Sequence, residues 1–314
     1  MLSRVANSIY WLSRYLERLD SIARFINVNY FLMLEKGEAT DGKTQWDPLI
    51  YASGDHKDFF QRYKKADEKN VIKFLSFDKT NPNSILSCVE AARENARTVR
   101  EIIPTEQWQT INDLYHFIKD ESKKKKHSNL QDFYKKIKDY NNQTIGLTLN
   151  SQLRNQAWHF LRLAKLLERA DKTARLLDVK YFSLLPNLSY VDSPYDAIEW
   201  GAVLKSVNAF QMYRQTYHRV SYENVSDFLI NNQYFPRSIC YCVSEASKSL
   251  AEIISIIGIN VEASKYMDDL ETMIKSKDTK SILREGLHEF VDAFQVKLNE
   301  LDEAIYNSFF ALKI

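Results

Sequence analysis

Glycine and proline are scarce in this chain, seven and six among 314 residues, against about 7% and 5% in ordinary proteins. So few turn-forming residues leave room for few tight connections, which favours long helices over strands. Three cysteines, Cys88, Cys240 and Cys242, are too few and too odd in number for a disulfide framework. No stretch approaches the roughly 18 uninterrupted apolar residues of a membrane span. The opening "MLSRVANSIYWLSRYLER" lacks the charged-then-apolar plan of a secretory leader. Neither sign of charge dominates: 43 Lys and Arg against 41 Asp and Glu leave a net charge of +2. That argues against the strongly basic footprint of a nucleic-acid binder. The composition predicts a reduced, cytoplasmic helical protein with no membrane or nucleic-acid partner.

What the chain does have is size and a repeated line. A length of 314 residues with 45% hydrophobic content is long for a single core, so two domains or two fused halves are expected. "YLERLDSIARFINVNYF" at 15–31 returns as "LLERADKTARLLDVKYF" at 166–182, with nine of 17 paired positions identical. Five of the nine are apolar or aromatic, and a core accounts for them. The other four are the charged pairs Glu17/Glu168, Arg18/Arg169, Asp20/Asp171 and Arg24/Arg175, which need a different reason. At an offset of 154 the echo continues through Trp46/Trp200, Gln61/Gln215, Tyr63/Tyr217 and Phe74-Leu75/Phe228-Leu229. "PNSILSCVEAA" at 82–92 then overlays "PRSICYCVSEA" at 236–246. A period this long reads as a doubled domain rather than a solenoid. The expected architecture is all-α: two tandem-duplicated helical bundles, 1–150 and 151–314, related by a pseudo-twofold axis.

Each half reads as five or six helices. Apolar residues at 5, 9, 12, 16, 19, 23 and 26 mark one helix face. In "NPNSI" Asn81 is expected to cap a helix with Pro82 at its first position, where a missing N–H costs nothing. That helix should run to about Ile103, before Pro104. "DSPYDAIEW" should start another after Ser193 in the same way. "KDESKKKKHSN" at 119–129 reads as a solvated connector. "TIGLTL" and "NLSYV" have strand-like composition but no hairpin partner.

Several patterns imitate chemistry. "GEATDGKT" at 37–44, opening on Gly37 and closing on Lys43-Thr44, satisfies the phosphate-cradling P-loop pattern. That loop works only between a buried strand and a helix. Here a helical pattern precedes it, and Glu38 and Asp41 would place negative charge inside the cradle. It is read as a decoy, with no nucleotide site. Cys240 and Cys242 on a helix would point roughly 200° apart and cannot share a zinc. His288-Glu289 lacks the second histidine of a zinc protease, and no Glu-x-x-His pair supports a di-iron bundle. No metal site and no cofactor is expected, and no Ser-His-Asp or Cys-His arrangement is evident.

The charged line remains. At about 100° per residue, Arg14, Glu17, Ser21 and Arg24 fall within about 80° of arc, with Arg18 and Asn7 beside them. The opposite arc carries Val5, Ile9, Leu12, Leu16, Leu19 and Ala23. A solvated face laced with i,i+4 pairs would be worth only a few tenths of a kcal/mol per pair. Yet Tyr10, Phe25 and Val28 share the polar arc, and the second copy keeps Glu168, Arg169, Asp171 and Arg175. A buried or partner-facing network accounts for that retention better. The candidate polar cluster is Arg14, Glu17, Arg18, Arg24, Glu168, Arg169, Asp171 and Arg175.

"MLSRVANSIYWLSRYLER", "NPNSILSC" followed by "ARENARTVRE" at 92–101, and "LLERADKTARLLD" together resemble the alpha-E domain family, named for its helical character and its Glu-Arg motif. The resemblance covers essentially the whole chain. The motif maps onto Glu17-Arg18 and Glu168-Arg169. In the second copy, Tyr-Trp and Arg of "YWLSR" become Leu161, Arg162 and Lys165, so the copies are not chemically equivalent. The family has no established activity. The resemblance implies company with ATP-grasp-like ligases and transglutaminase-like cysteine proteases, hence a small system that makes or modifies peptides. Three roles then compete. The first is a non-catalytic or substrate-presenting partner of the ligase. The second is an enzyme using Glu17 or Glu168 as general base, and the third a purely structural oligomerisation module. For the motif itself, helices 3–34 and 154–182 should pack through Leu12, Leu16, Leu19 and Leu163, Leu167, Ala170. That would bring the two Glu-Arg pairs into one cluster balanced in charge. Two separate local clasps are the alternative.

Overall fold

No glycine or proline interrupts residues 3–36, and the chain there forms one helix of 34 residues, α1 (Ser3–Lys36). Its counterpart α8 (Gln156–Leu184) runs for 29 residues on the same terms. Both end two residues beyond the expected positions, and α8 also begins two residues later than expected. The computed structural model describes residues 1–36, 46–127, 129–184 and 194–311. The P-loop-like stretch at 37–44 and the "NLSYV" segment lie outside the described residues.

Period 3.6 sets what each long helix buries. Leu12, Leu16 and Leu19 of α1 and Leu163, Leu167 and Ala170 of α8 are all buried, and the two helices pack against each other. Fully burying one leucine contributes about 2 kcal/mol. This face holds the pair together. Six shorter helices follow the long ones: α2 (Asp47–Ser53), α3 (His56–Arg62) and α4 (Glu68–Ile72) in the first half, α9 (Pro194–Ser206), α10 (Phe210–Thr216) and α11 (Tyr222–Ile230) in the second. Their packing crosses over, α2 lying mainly on α8 and α9 mainly on α1. A π-helical turn, Lys73–Phe77, continues α4.

Helix α5 (Ile85–Thr98) then packs on α1, and α12 (Ile239–Ile257) on α8. The first half ends with α6 (Thr105–Ser122) and α7 (Leu130–Ser151). The second ends with α13 (Ala263–Lys275), α14 (Thr279–Glu285), α15 (Leu287–Ile305) and a π-helical turn, Tyr306–Phe310. Helix α7 packs on α6 and α1, and α15 on α13 and α8. No strand occurs among the described residues, and "TIGLTL" lies inside α7. None of the described helices is long and apolar enough to cross a membrane. Buried side chains from both halves form one continuous hydrophobic core.

Local details depart from expectation in three places. Seven and eight α-helices occupy the two halves of the described chain, because residues 47–72 and 194–230 form several short segments that periodicity could not separate. The cap of α5 is Ser84, whose hydroxyl accepts the Ser87 N–H at 3.2 Å. Asn81 instead closes the turn around Pro82, accepting the Asn83 N–H at 2.9 Å and donating to the Phe74 carbonyl at 3.2 Å. The helix stops at Thr98 rather than near Ile103, and α6 absorbs the first residues of the lysine-rich connector.

Many contacts recur at the offset of 154. Ser238 caps α12 as Ser84 caps α5. Asp67 and Ser221 cap α4 and α11. Phe59 stacks on Tyr63, and Tyr213 on Tyr217, each at 5.0 Å between centroids. The Cys88 thiol faces the Pro82 carbonyl, and the Cys242 thiol faces that of Pro236.

Candidate functional site

With the leucine stripes of α1 and α8 in contact, the residues one step further round each helix meet at the seam. Glu17 and Glu168 lie there, 1% and 0% exposed. Each takes its partner from the other half. Arg169 places Nε 2.7 Å from Glu17 Oε1 and Nη2 2.8 Å from Oε2. Arg18 does the same to Glu168, at 2.7 and 3.0 Å. Both pairs are two-pronged, the geometry in which a planar guanidinium grips a carboxylate most strongly. Two local clasps do not form.

Two interleaved networks grow from these pairs. Glu17 also accepts from Arg237 Nη1 at 2.9 Å, while Arg237 Nη2 reaches Asp20 at 3.0 Å and Arg24 holds Asp20 at 2.7 Å. The remaining Arg169 nitrogen donates to the Pro236 carbonyl at 3.2 Å. Glu168 lies 3.6 Å from Lys172, which is 3.1 Å from Asp171, itself held by Arg175 at 2.9 Å. Arg14 Nε stands 2.7 Å from Glu168 Oε2 without the alignment of a hydrogen bond. Its other nitrogens meet Asp302 of α15 at 3.0 and 2.9 Å. Tyr10 donates to Asp302 at 2.8 Å, and Arg18 Nη1 donates to Asn83 at 2.6 Å.

All eight residues singled out in the sequence therefore belong to these networks. Six others join them: Asp20, already noted as the repeat counterpart of Asp171, and Tyr10, Asn83, Lys172, Arg237 and Asp302, which were not foreseen. Asn83 and Arg237 had a signal, since they occupy the same place in the repeated "PNS" and "PRS". Asp302 had none; 288 residues separate it from Arg14. The expected balance of charge also changes. Glu17 faces Arg169, Arg237 and Lys165, and Glu168 faces Arg18, Arg14 and Lys172. Seven cations (Arg14, Arg18, Arg24, Arg169, Lys172, Arg175 and Arg237) meet five acids (Glu17, Asp20, Glu168, Asp171 and Asp302), an excess that the eight residues read from the sequence already carried.

Electrostatics follow from that excess. Burial pushes the Glu17 carboxyl upward, but Arg169, Arg237 and Lys165 outweigh it and hold its pKa at about 2. Glu168 is likewise held well below the usual range, burial being overcome by Arg18, Arg14 and Lys172. Burial and the neighbouring Arg169 lower Lys165 to about 8. A carboxylate so acidic, with both oxygens gripped, is a poor proton acceptor at neutral pH. Burial also raises the Cys88 and Cys242 thiols to about 12, which keeps them protonated and inert. Among the described residues no group of three or more His, Cys, Asp or Glu is placed to hold a metal.

Beside the Glu17 network a cleft of about 60 Å³ opens between α1, α6, α7 and α8, with Glu17, Lys165, Gln107 and Asn141 on its walls. The arrangement as a whole is a buried ionic lock between two helices, flanked by a small cleft with a mainly apolar lining and a few buried polar groups. Comparison with curated proteins and with solved structures gives no match. A family model described as "a predicted alpha-helical domain with a conserved ER motif", Alpha-E, matches residues 1–310. With Glu-Arg at 17–18 and again at 168–169, and no strand among its described residues, this chain belongs to the Alpha-E family.

Proposed function

We propose that this Alpha-E chain is a non-catalytic, substrate-presenting partner of an ATP-grasp-like ligase in a system that forms or modifies peptide or other amide bonds. The observation that carries the non-catalytic part is the two-pronged pairing of both motif carboxylates. A glutamate so engaged locks helices together and, held ionised by the cations around it, is a poor acceptor for a substrate proton. The ligase, and a transglutaminase-like protease beside it, come from the company that the family resemblance implies. Co-expression with an ATP-grasp-like ligase from the same genome, followed by pull-down with and without ATP, tests the partnership. Stable association in at least one condition is expected; none in either would overturn it.

A second reading rests on one observation: Glu17 lines the cleft. In that case it is the general base, and Glu17→Gln abolishes turnover of the reconstituted system while leaving helix content intact. Turnover that survives the substitution removes this role.

We also infer that the halves 1–150 and 151–314 are copies of one ancestral bundle, related by a pseudo-twofold axis along the α1–α8 seam. Supporting this are the reciprocal Glu-Arg pairs, the crossed packing of α2 and α9, and the caps and ring stacks recurring at one offset. Equal costs for Arg18→Met and Arg169→Met are the corresponding energetic expectation.

A further inference from the structure

One asymmetry in the seam stands out from the repeated pattern. Counted 151 residues on, Arg14 corresponds to Lys165 and Tyr10 to Leu161. Arg14 is covered. Asp302 meets it with both oxygens, and the Tyr10 hydroxyl closes on the same carboxylate. Lys165 has no such cover: among the described residues it makes no hydrogen bond or ion pair. Where α15 brings Asp302 to Arg14, α7 brings Thr148, 154 residues earlier, to the cleft at Lys165. Leucine lacks the hydroxyl of tyrosine, and threonine lacks the carboxylate of aspartate. Leu161 and Thr148 both line the cleft of about 60 Å³.

Its walls are short of partners. Gln107 and Asn141 are 1% and 2% exposed, yet Gln107 Oε1 and Asn141 Nδ2 have no hydrogen-bond partner. A buried polar atom left without a partner is costly. The cleft thus offers a cation, a spare amide donor and a spare amide acceptor, beside an apolar wall that includes Leu149 and Trp158. Glu17 is also on the wall, but Arg169 and Arg237 already occupy it.

We propose that this cleft binds a carboxylate, that of an amino acid or of a peptide's C-terminal residue, in the place beside Lys165 that Asp302 fills beside Arg14. A carboxylate only accepts hydrogen bonds, and Lys165 and Asn141 Nδ2 supply the donors. Gln107 Oε1 takes the N–H of the ligand's own amide or ammonium group, and the apolar wall receives its side chain. The cleft is small, about 60 Å³, so the carboxylate enters it. The rest of the ligand stands in the mouth. Arg162, Arg169 and Arg237 add positive field around Lys165, which an anion relieves. A tetrahedral phosphate dianion asks for more donors than the cleft provides. The proposal gives the substrate-presenting role a substrate class and rests on that role only for the carboxylate's fate. Because binding is measured on this chain alone, it can fail while ligase association holds, and the reverse.

The test uses the full chain labelled with 13C at lysine Cε, the Lys165 signal being assigned by its loss in Lys165→Met. Probes are a leucine-terminated tripeptide, its C-terminal amide, free leucine and inorganic phosphate. The acid peptide should shift the Lys165 signal saturably, with the amide binding at least tenfold more weakly. Free leucine binding as tightly as the peptide assigns the site to amino acids; a tighter peptide assigns it to chain ends. In calorimetry Lys165→Met should lose tenfold or more in affinity. Thr148→Asp, which supplies an internal carboxylate, should move the Lys165 signal without ligand and block the peptide. Melting curves confirm that both variants fold, and the acid-against-amide comparison needs no variant. Equal binding of acid and amide, phosphate binding as tightly as the acid, or unchanged binding in folded Thr148→Asp would each overturn the proposal.

Discussion

Replacing Arg169 with methionine removes the charge while keeping most of the side-chain stem packed. Three hydrogen bonds go with it, two to Glu17 and one to the Pro236 carbonyl. Glu17 remains almost fully buried, keeping Arg237 on one oxygen and losing its only hydrogen bond on the other. Removing one partner of a buried ion pair costs about 3–5 kcal/mol. With Arg237 and Lys165 still near, the low end applies, so Arg169→Met should lower the unfolding free energy by about 3 kcal/mol. Arg18→Met should cost a similar amount, because Glu168 keeps Arg14 and Lys172. Adding Glu17→Met to Arg169→Met removes the stranded carboxylate. The double variant should therefore fall short of the sum of the singles by at least about 2 kcal/mol. Urea unfolding followed by far-ultraviolet circular dichroism gives all the values needed. A loss under about 1 kcal/mol for Arg169→Met, or additivity to within about 0.5 kcal/mol, would refute the reasoning.

Three further outcomes follow from the same geometry. The folded-state pKa of Glu17 is about 2, against an ordinary 4.5, so the unfolded chain binds the extra proton. Its stabilisation is complete above pH 4.5 and disappears as pH falls towards 2, worth about 3 kcal/mol at 1.4 kcal/mol per unit. Acid titration of the unfolding midpoint checks this, and Glu17→Gln should flatten that window. The Lys165 amine, with Arg162, Arg169, Arg237 and Glu17 as its charged neighbours and only uncharged Gln107, Asn141 and Thr148 from α6 and α7, should titrate near 8. Its rate of acetylation should show a midpoint there, which moves to the ordinary lysine range in denaturant. Gly54 ends α2 with φ at 88°, and a Cβ there would stand 3.0 Å from Arg175 Nη1. Gly54→Ala should cost about 1–2 kcal/mol in thermal unfolding, and no measurable loss would mean that the turn can relax.

Period-3.6 leucines and the absence of glycine and proline made α1 and α8 legible to within a few residues. The four repeated charges pointed to the seam for a physical reason. A surface position drifts freely, whereas Glu17 can be buried only with Arg169 opposite, and Glu168 only with Arg18. Sequence could not place Arg237 against Glu17, or Asp302 against Arg14. Arg237 sits before α12 and Asp302 near the end of α15, and only the packing of α12 and α15 on α8 brings them in. The cap of α5 was misplaced because Asn81-Pro82 and Ser84 both carry start signals, and choosing between them depends on where the preceding π-helical turn ends. The cleft was legible only as two substitutions, Leu161 and Lys165 in the second "YWLSR". That these line a cleft required seeing Thr148 stand where Asp302 would be.

The crossing of the Glu-Arg pairs can be read directly from the arginine Nε–H signals in a 1H–15N spectrum. Buried, gripped Nε–H groups exchange slowly with water and are resolved, and Arg18→Lys and Arg169→Lys assign the two that matter. Glu168→Gln should move the Arg18 signal and expose it to exchange while leaving that of Arg169 nearly in place, and Glu17→Gln should do the reverse. If Glu17→Gln instead displaces the signal of Arg18, its own neighbour in the chain, and Glu168→Gln that of Arg169, each motif is a local clasp and the reciprocal lock between the halves does not exist.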